Sequence, residues 1–404
     1  LSSLRGSTFL LDSAFGARHP VAAGQIDRAR YTGAVESRRL VSLDVFRGLT
    51  VAGMVLVNNP GTWRAVYAPL RHADWHGWTP TDLIFPFFLF IVGVAIPLAL
   101  GRRLADGEPS GRIVLRIVRR SAIIFALGLV LHTVSNPDPA TIRIPGVLQR
   151  IAVCYLVAAV LFVTTSWRAQ LGWAAVALLG YWAALTLVPV PGFGAGDLGK
   201  EGNIAAWLDR ALLGRHIWRI GRVYDPEGIL STVPAVATTL FGMFAGRWIR
   251  SMPVPAIMAR GLALAGVALT GAGLLWGRWL PINKSLWSSS YAVFTAGAAL
   301  LVLAFCYWLI EIKRSRWWTR PFAALGVNAL AVFFLSTLLA ILLARVHVTA
   351  GDGRLRTLQP MLFDAAFAPW APAMAASLAW ALANVLLWLL ITWALDRRGI
   401  RLTV

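Results

Sequence analysis

The sequence predicts an all-α polytopic membrane protein of about ten transmembrane helices, with both termini on the cytoplasmic side. Three observations carry this. Hydrophobic residues make up 58% of the 404 and the mean hydropathy is +0.66, while charged residues make up only 14%, against about 25% in a soluble domain. The apolar residues fall into repeated runs of about twenty, the length at which a helix crosses a hydrocarbon core. The basic residues alternate in density from one connecting segment to the next, as the positive-inside rule requires.

In chain order the expected spans are about 41–59, 80–100, 113–134, 145–165, 169–190, 229–249, 256–276, 285–310, 321–345 and 372–395. Residues 1–38, rich in Ser, Gly, Ala and Arg, contain no apolar run long enough for a signal peptide and read as a mobile cytoplasmic tail. Residues 39–404 read as a single transmembrane domain. The second span opens on Thr79-Pro80-Thr81-Asp82, a helix start with Thr as N-cap, Pro in the first turn and Asp three residues on. The eighth ends in "CYWLIEIKRSRWWTR", with aromatic residues at the interface and a basic turn behind them. With the N-terminus inside, 23 of the 38 Lys and Arg residues fall on the inner side and 13 on the outer side, leaving Arg47 and Arg150 within the membrane. The net charge of +20 therefore belongs to membrane orientation. No basic stretch forms a soluble module, so nucleic acid is excluded as a partner. Cys154 and Cys306 sit inside apolar runs and read as core residues.

Polar and ionisable residues near spans are costly and mark functional sites. On the outer side stand Asn58 and Asn59, then His72, Asp74, His76 and Asp82, then Arg143, Gln149 and Arg150, then Asp225 and Glu227, then Asn283, Lys284 and Ser288. On the inner side stand Asp44, Arg47 and Asn328. Each has a structural reading as well. Asp82 and Asp225 suit helix starts, Asn283 suits a cap, Asp44 and Arg47 suit an i, i+3 ion pair, and His76 and His132 suit interfacial positions. The four even-numbered spans all begin at the outer surface. If they pack together, their positive dipole ends converge, and Arg143, Arg150 and Lys284 add cations. The outcome would be a place for an anion or a developing oxyanion, with a histidine beside carboxylates as general base or acyl acceptor. His72 and His76 lack a zinc-type signature, and no metal is expected.

The motifs "SLDVFRG", "VNNPG", "HADWHGWTPTDLIFPFFLF", "RIPGVLQRIAVCY", "YDPEGILSTVP", "PINKSLWSSSY" and "GVNAL" occur in order over about 41–396. In them the chain resembles the transmembrane acetyltransferases of the heparan-α-glucosaminide N-acetyltransferase family, and most of all its bacterial inner-membrane members. The resemblance implies transfer of an acetyl group from cytoplasmic acetyl-CoA to the amine of glucosamine or a related amino sugar on the periplasmic side. It implies His72 as the active histidine, Asp82 as the carboxylate that orients it, and Asn58 as a group that steadies the oxyanion. It implies Asp225, Glu227, Asn283, Lys284 and Trp287 as substrate- or CoA-binding positions, and the polar residues read above add Asp44, Arg47, Arg143, Gln149, Arg150, Ser288 and Asn328. The partners expected are acetyl-CoA, the amino-sugar acceptor, the lipid bilayer and a second copy of the chain as a homodimer. Two departures from the family stand out: no counterpart to the lumenal domain and anchor helix of the lysosomal enzyme precedes residue 41, and the Asn58–His72 segment is longer. The first implies a free amino sugar as acceptor. The sequence leaves open whether His72 carries the acetyl group or only moves a proton. It also leaves open an O-acyltransferase acting on an envelope glycan, and a small-solute transporter.

Overall fold

The computed structural model describes residues 40–349 and 355–402, so the tail expected over residues 1–38 lies outside the described residues. The apolar runs become helices because hydrocarbon offers the backbone no hydrogen-bond partner. In chain order these are α1 (Val41–Asn58), α2 (Ile84–Ala105, led by the 3-10 turn Pro80–Leu83), α3 (Ser110–Ser135), α4 (Val147–Thr164) and α5 (Trp167–Leu187). After a short helix α6 (Ile204–Leu213) come α7 (Thr232–Ser251), α8 (Pro255–Trp276) and α9 (Ser289–Tyr307, continued by a π-helical turn Trp308–Ile312). The chain continues through α10 (Thr319–Val327), α11 (Ala329–Arg345), the antiparallel pair β1 (His347–Thr349) and β2 (Leu355–Thr357), α12 (Leu358–Ala366) and α13 (Ala373–Arg397). The protein is an all-α polytopic membrane protein.

Each predicted span falls on helix. Among the described residues seven helices are long and apolar enough to cross a membrane, and the pair α10–α11 makes an eighth. The other two predicted spans, α3 and α7, stand outside that set. The first half of α3 carries Arg112, Arg116, Arg119 and Arg120. In α7, apolar length gives way to Thr and Gly, and these let it lie close against α2. A Cβ on Gly93 would meet the Thr239 carbonyl, and one on Gly242 would meet the Phe90 carbonyl. Small residues at such a crossing replace the hydrophobic drive that lipid removes.

The span expected over 321–345 is broken by an 81° bend between α10 and α11. Asn328 sits at the break, its amide nitrogen donating to the Ala324 carbonyl at 2.9 Å and its Oδ1 accepting from Leu402 N at 2.7 Å. Two expected caps are also corrected. Helix α7 begins at Thr232, past Asp225, whose carboxylate is taken by Arg143 and by loop N–H groups. Asn283 closes the preceding turn through Leu286 N at 2.9 Å, and α9 starts only at Ser289. The cap at Thr79 is present: Thr79 and Asp82 form a reciprocal capping box around the 3-10 turn.

Helix α9 is the hub, buried over 67% of its most apolar window, whereas α8 and α13 are buried over 28% and 22% of theirs. The outward faces of these peripheral helices are apolar, with Leu264 72% exposed and Leu386 56% exposed. A helix apolar all round and open on one side suits a lipid neighbour. Beneath the loops that lead into α2, α4 and α9, Phe85, Phe88, Leu89, Leu148, Ile151, Trp287 and Tyr291 form a core where these helices meet α1 and α7.

Candidate functional site

Two charged clusters sit where α2, α4, α7 and α9 begin. The first is built on the capping box. Asp82 turns back to accept from Thr79 N at 3.0 Å, and the same oxygen accepts from Ala73 N at 3.1 Å, which ties the His72 loop to the helix start. Its other oxygen lies 2.7 Å from His72 Nδ1. A carboxylate only accepts, so this contact assigns the proton to Nδ1 and leaves the lone pair on Nε2. Asp82 is 1% exposed, while the His72 side chain is 48% exposed. The imidazole is thus anchored from below and open above.

Lys284 completes this cluster from the loop before α9. Its Nζ lies 2.9 Å from His72 Nδ1, 3.3 Å from Nε2 and 3.6 Å from Asp82 Oδ1. With Nδ1–H directed at Asp82, the hydrogen bond open to the ammonium on the ring is at Nε2. Burial makes Lys284 give up its proton more readily than an ordinary lysine, an effect opposed by Asp82 and Glu227. The loop that holds it is strongly determined. Trp287 sits at φ 50°, in the left-handed region a bulky residue avoids. Its ring is held edge-on by Phe85 and Tyr291, its Nε1 donates to Thr238 Oγ1 at 3.1 Å, and the Arg150 guanidinium lies 5.1 Å over its face. Gly77 N donates to Ile282 O at 2.7 Å, joining the His72 loop directly to the Lys284 loop. Tyr291 adds a hydroxyl on the Asp82 carbonyl.

The second cluster joins α4 to α7. Arg143 grips Asp225 through Nε at 2.9 Å and through a second nitrogen, and also donates to Glu227. Asp225 further accepts from Trp218 N and Glu227 N, each at 2.9 Å. Burial opposes the Arg143 charge, but Glu227 and Asp225 outweigh it and hold the guanidinium proton more firmly than usual. One helical turn into α4, Arg150 is 2% exposed and donates to Ser231 Oγ and to Gly228 O at 3.2 Å. Gln149 packs against His132, whose Nδ1 lies 2.7 Å from the Arg143 carbonyl. On α6, buried Asp209 accepts from Ile229 N at 2.9 Å, and burial, with nearby Asp225 adding to it, pushes its carboxyl up to about 7.

The remaining expected positions lie elsewhere. Asn58 makes no hydrogen bond to His72 or Asp82 among the described residues. It faces a cleft of about 570 Å³ between α1, α3 and α11, lined also by Met54, Ser135, Val147, Phe333, Ser336 and Arg345. Asp44 and Arg47 pair at 3.4 Å near the other end of α1, where Arg47 also reaches the Gly326 carbonyl at 3.5 Å. Asn328 sits at the helix break, two residues beyond the Gly326 carbonyl that Arg47 reaches. Ser288 bonds Pro281 O and Asn283 N, so it shapes the Lys284 loop.

Residues 39–275 match the profile of the heparan-α-glucosaminide N-acetyltransferase catalytic family. The chain belongs to that family. It is similar to the human protein named heparan-α-glucosaminide N-acetyltransferase, 32% identical over 371 residues that cover 77% of this chain and 54% of the relative. The mouse protein of that name is 32% identical over 357 residues, covering 74% of this chain and 53% of the relative. The chain thus spans about half the length of the curated relatives it matches.

The matched segment contains His72, Asp82, Arg143, Arg150, Asp225 and Glu227 but ends before Lys284, which only the fold brings to His72. Sequence reasoning missed Tyr291, Ser231, Thr238 and Asp209. Asp209 had a signal: one acidic residue on the buried face of a short helix with a strong apolar side. The other three are Ser, Thr and Tyr inside apolar helices or at their starts, where nothing local marks them.

Proposed function

We propose that the protein is a membrane acetyltransferase that moves an acetyl group from cytoplasmic acetyl-CoA to the amine of glucosamine or a related amino sugar on the periplasmic side. The setting is a bacterial inner membrane, with ten spans and both termini inside. The observation that carries the reading is the His72–Asp82 couple. One carboxylate oxygen is held by two backbone N–H groups, the other meets His72 Nδ1, and the imidazole is about half exposed. Orientation and tautomer are then fixed before a substrate arrives, which is what a general base requires. The human and mouse relatives named for N-acetylation of a heparan α-glucosaminide support acetyl transfer to an amino-sugar acceptor.

Arg47 and Asn328 near the inner face are the positions for the nucleotide of acetyl-CoA. The cleft at Asn58 has a volume in the range of small-molecule sites and an apolar wall with polar groups at its edge, as a pantetheine arm needs. His72 takes a proton from the acceptor amine as its nitrogen adds to the thioester carbon, and returns it to the departing thiolate. The net change is amine plus thioester to amide plus thiol. In the alternative course, His72 Nε2 adds to the thioester carbon and expels the thiolate; the amine then attacks the acetyl-imidazole carbon, the C–Nε2 bond breaks, and the amine proton passes to the thiolate. Purified protein should consume acetyl-CoA with glucosamine in an amino-sugar panel, and His72→Ala should remove that turnover. Hydroxyl-only sugars serving equally well would move the reading to O-acetylation, and absence of turnover with every amine would remove it. A labelled acetyl group trapped on the enzyme without acceptor, and absent in His72→Ala, selects the covalent course.

A further inference from the structure

Acyl transfer puts negative charge on the carbonyl oxygen as the new bond forms, and a site needs donors aimed at that oxygen. Asn58 faces the cleft and does not bond to His72. The cation that does stand at the reacting nitrogen is Lys284, 3.3 Å from Nε2 on a side chain 19% exposed. An ammonium has three N–H donors. Contacts with Nε2 and with Asp82 use at most two, which leaves one for an oxygen on an atom bonded to, or in contact with, Nε2.

We propose that Lys284 is a catalytic residue of this site, its ammonium stabilising the oxyanion formed next to His72. The inference rests on the acetyl-transfer reading and deepens it. When the nucleophile's lone pair bonds to the carbonyl carbon, the C=O π pair moves onto oxygen, within reach of Nζ. Collapse restores C=O and expels the leaving group. Either course of the reaction places the oxygen there, because in both the carbonyl carbon is on Nε2 or one atom beyond it. The strained Trp287 backbone and its four ring partners explain why the loop spends so much packing on one position: they hold Lys284 fixed, and preorganisation is the source of such stabilisation. The charged groups facing the ammonium are Asp82 and His72 from the α2 loop, Glu227 from before α7 and Arg150 from α4.

Two assays test this. In acetyl-CoA turnover, Lys284→Met should lower kcat by about 10²–10³-fold, the range for removing one oxyanion donor, with KM for both substrates little changed. Lys284→Arg should lose much less. It should also extend the alkaline limb of the kcat/KM profile upward, since the active form is the cation and a guanidinium keeps its proton to higher pH. The second assay uses p-nitrophenyl acetate, where His72-dependent nitrophenolate release reports attack at the imidazole whatever the natural substrates are. There Lys284→Met should slow release at least tenfold relative to wild type. Unchanged release and turnover in Lys284→Met, or an alkaline limb unmoved in Lys284→Arg, overturns the proposal. Release that depends on both residues, without turnover of any amino sugar, keeps Lys284 in its role and removes the acceptor assignment instead. No His72-dependent release and no turnover overturns both.

Discussion

Around Arg143, charge is closed on itself. One guanidinium meets two carboxylates, and Asp225 is filled further by two backbone N–H groups. Around His72 the set differs: one carboxylate and one ammonium stand beside an imidazole. Asp82 is filled by Thr79, Ala73 and His72, yet the imidazole beside it is 48% exposed and, among the described residues, Nε2 has only the Lys284 ammonium near it, at 3.3 Å. The first cluster joins α4 to α7 through Arg143 and its two carboxylates. The second joins α2 to α9 and leaves its imidazole half-exposed. What separates the two clusters is the imidazole, about half exposed in the second, where the first holds a guanidinium and carboxylates.

Crossing the two clusters with two assays gives the largest effects. His72→Ala should lower turnover by about 10²–10⁴-fold while the melting temperature in detergent stays near wild type. Arg143→Met should do the reverse in order of severity: stripping the cation from two buried carboxylates costs about 3–5 kcal/mol, seen as a large drop in melting temperature and folded yield. If Arg143→Met stays folded and loses only turnover, the division between the clusters is wrong.

A smaller effect sharpens the structural side. Asp209 titrates near 7 when folded, against about 4 unfolded. The folded state therefore binds more protons between those values, and the Asp209 contribution to stability falls as pH rises from about 4 to about 7. Asp209→Asn should shrink the stability difference between pH 5 and pH 8, measured by thermal unfolding. An identical difference in the variant would show that the buried carboxyl is already ionised. The smallest effect belongs to Thr79→Ala, which removes one half of the capping box and should cost about 1 kcal/mol. Its readout is a modest fall in melting temperature together with a several-fold loss of kcat, since the Asp82 it braces orients His72. A loss of stability with no change in kcat would detach the cap from the site.

Much of this was legible in the chain because it is local. A run of about twenty apolar residues writes its own helix, and Thr79-Pro80-Thr81-Asp82 writes its own cap, each within a few residues. Arg112, Arg116, Arg119 and Arg120 blurred the third span without hiding it. Caps at Asp225 and Asn283 were misread because a carboxylate or amide near a helix start has competing partners. Arg143, 82 residues away, won the first, and Leu286 N in a tighter turn won the second. The bend at Asn328 was invisible for the same reason: its side chain bonds Leu402 N from the far end of the chain.

By itself the sequence determined that this is an all-helical membrane protein and that polar residues gather at the starts of four helices, and its family resemblance joined His72 to Asp82, ten residues apart. Hydrophobic length and helix capping act over short stretches of chain, so a linear pattern is enough to specify them. Only the tertiary structure decided that Lys284, 212 residues from His72, reaches the imidazole, that Arg143 is spent on Asp225 and Glu227, and that Asn58 turns to a separate cleft. Pairing of charges depends on distance through space and on competition among all groups within reach. That competition is settled only when the helices pack.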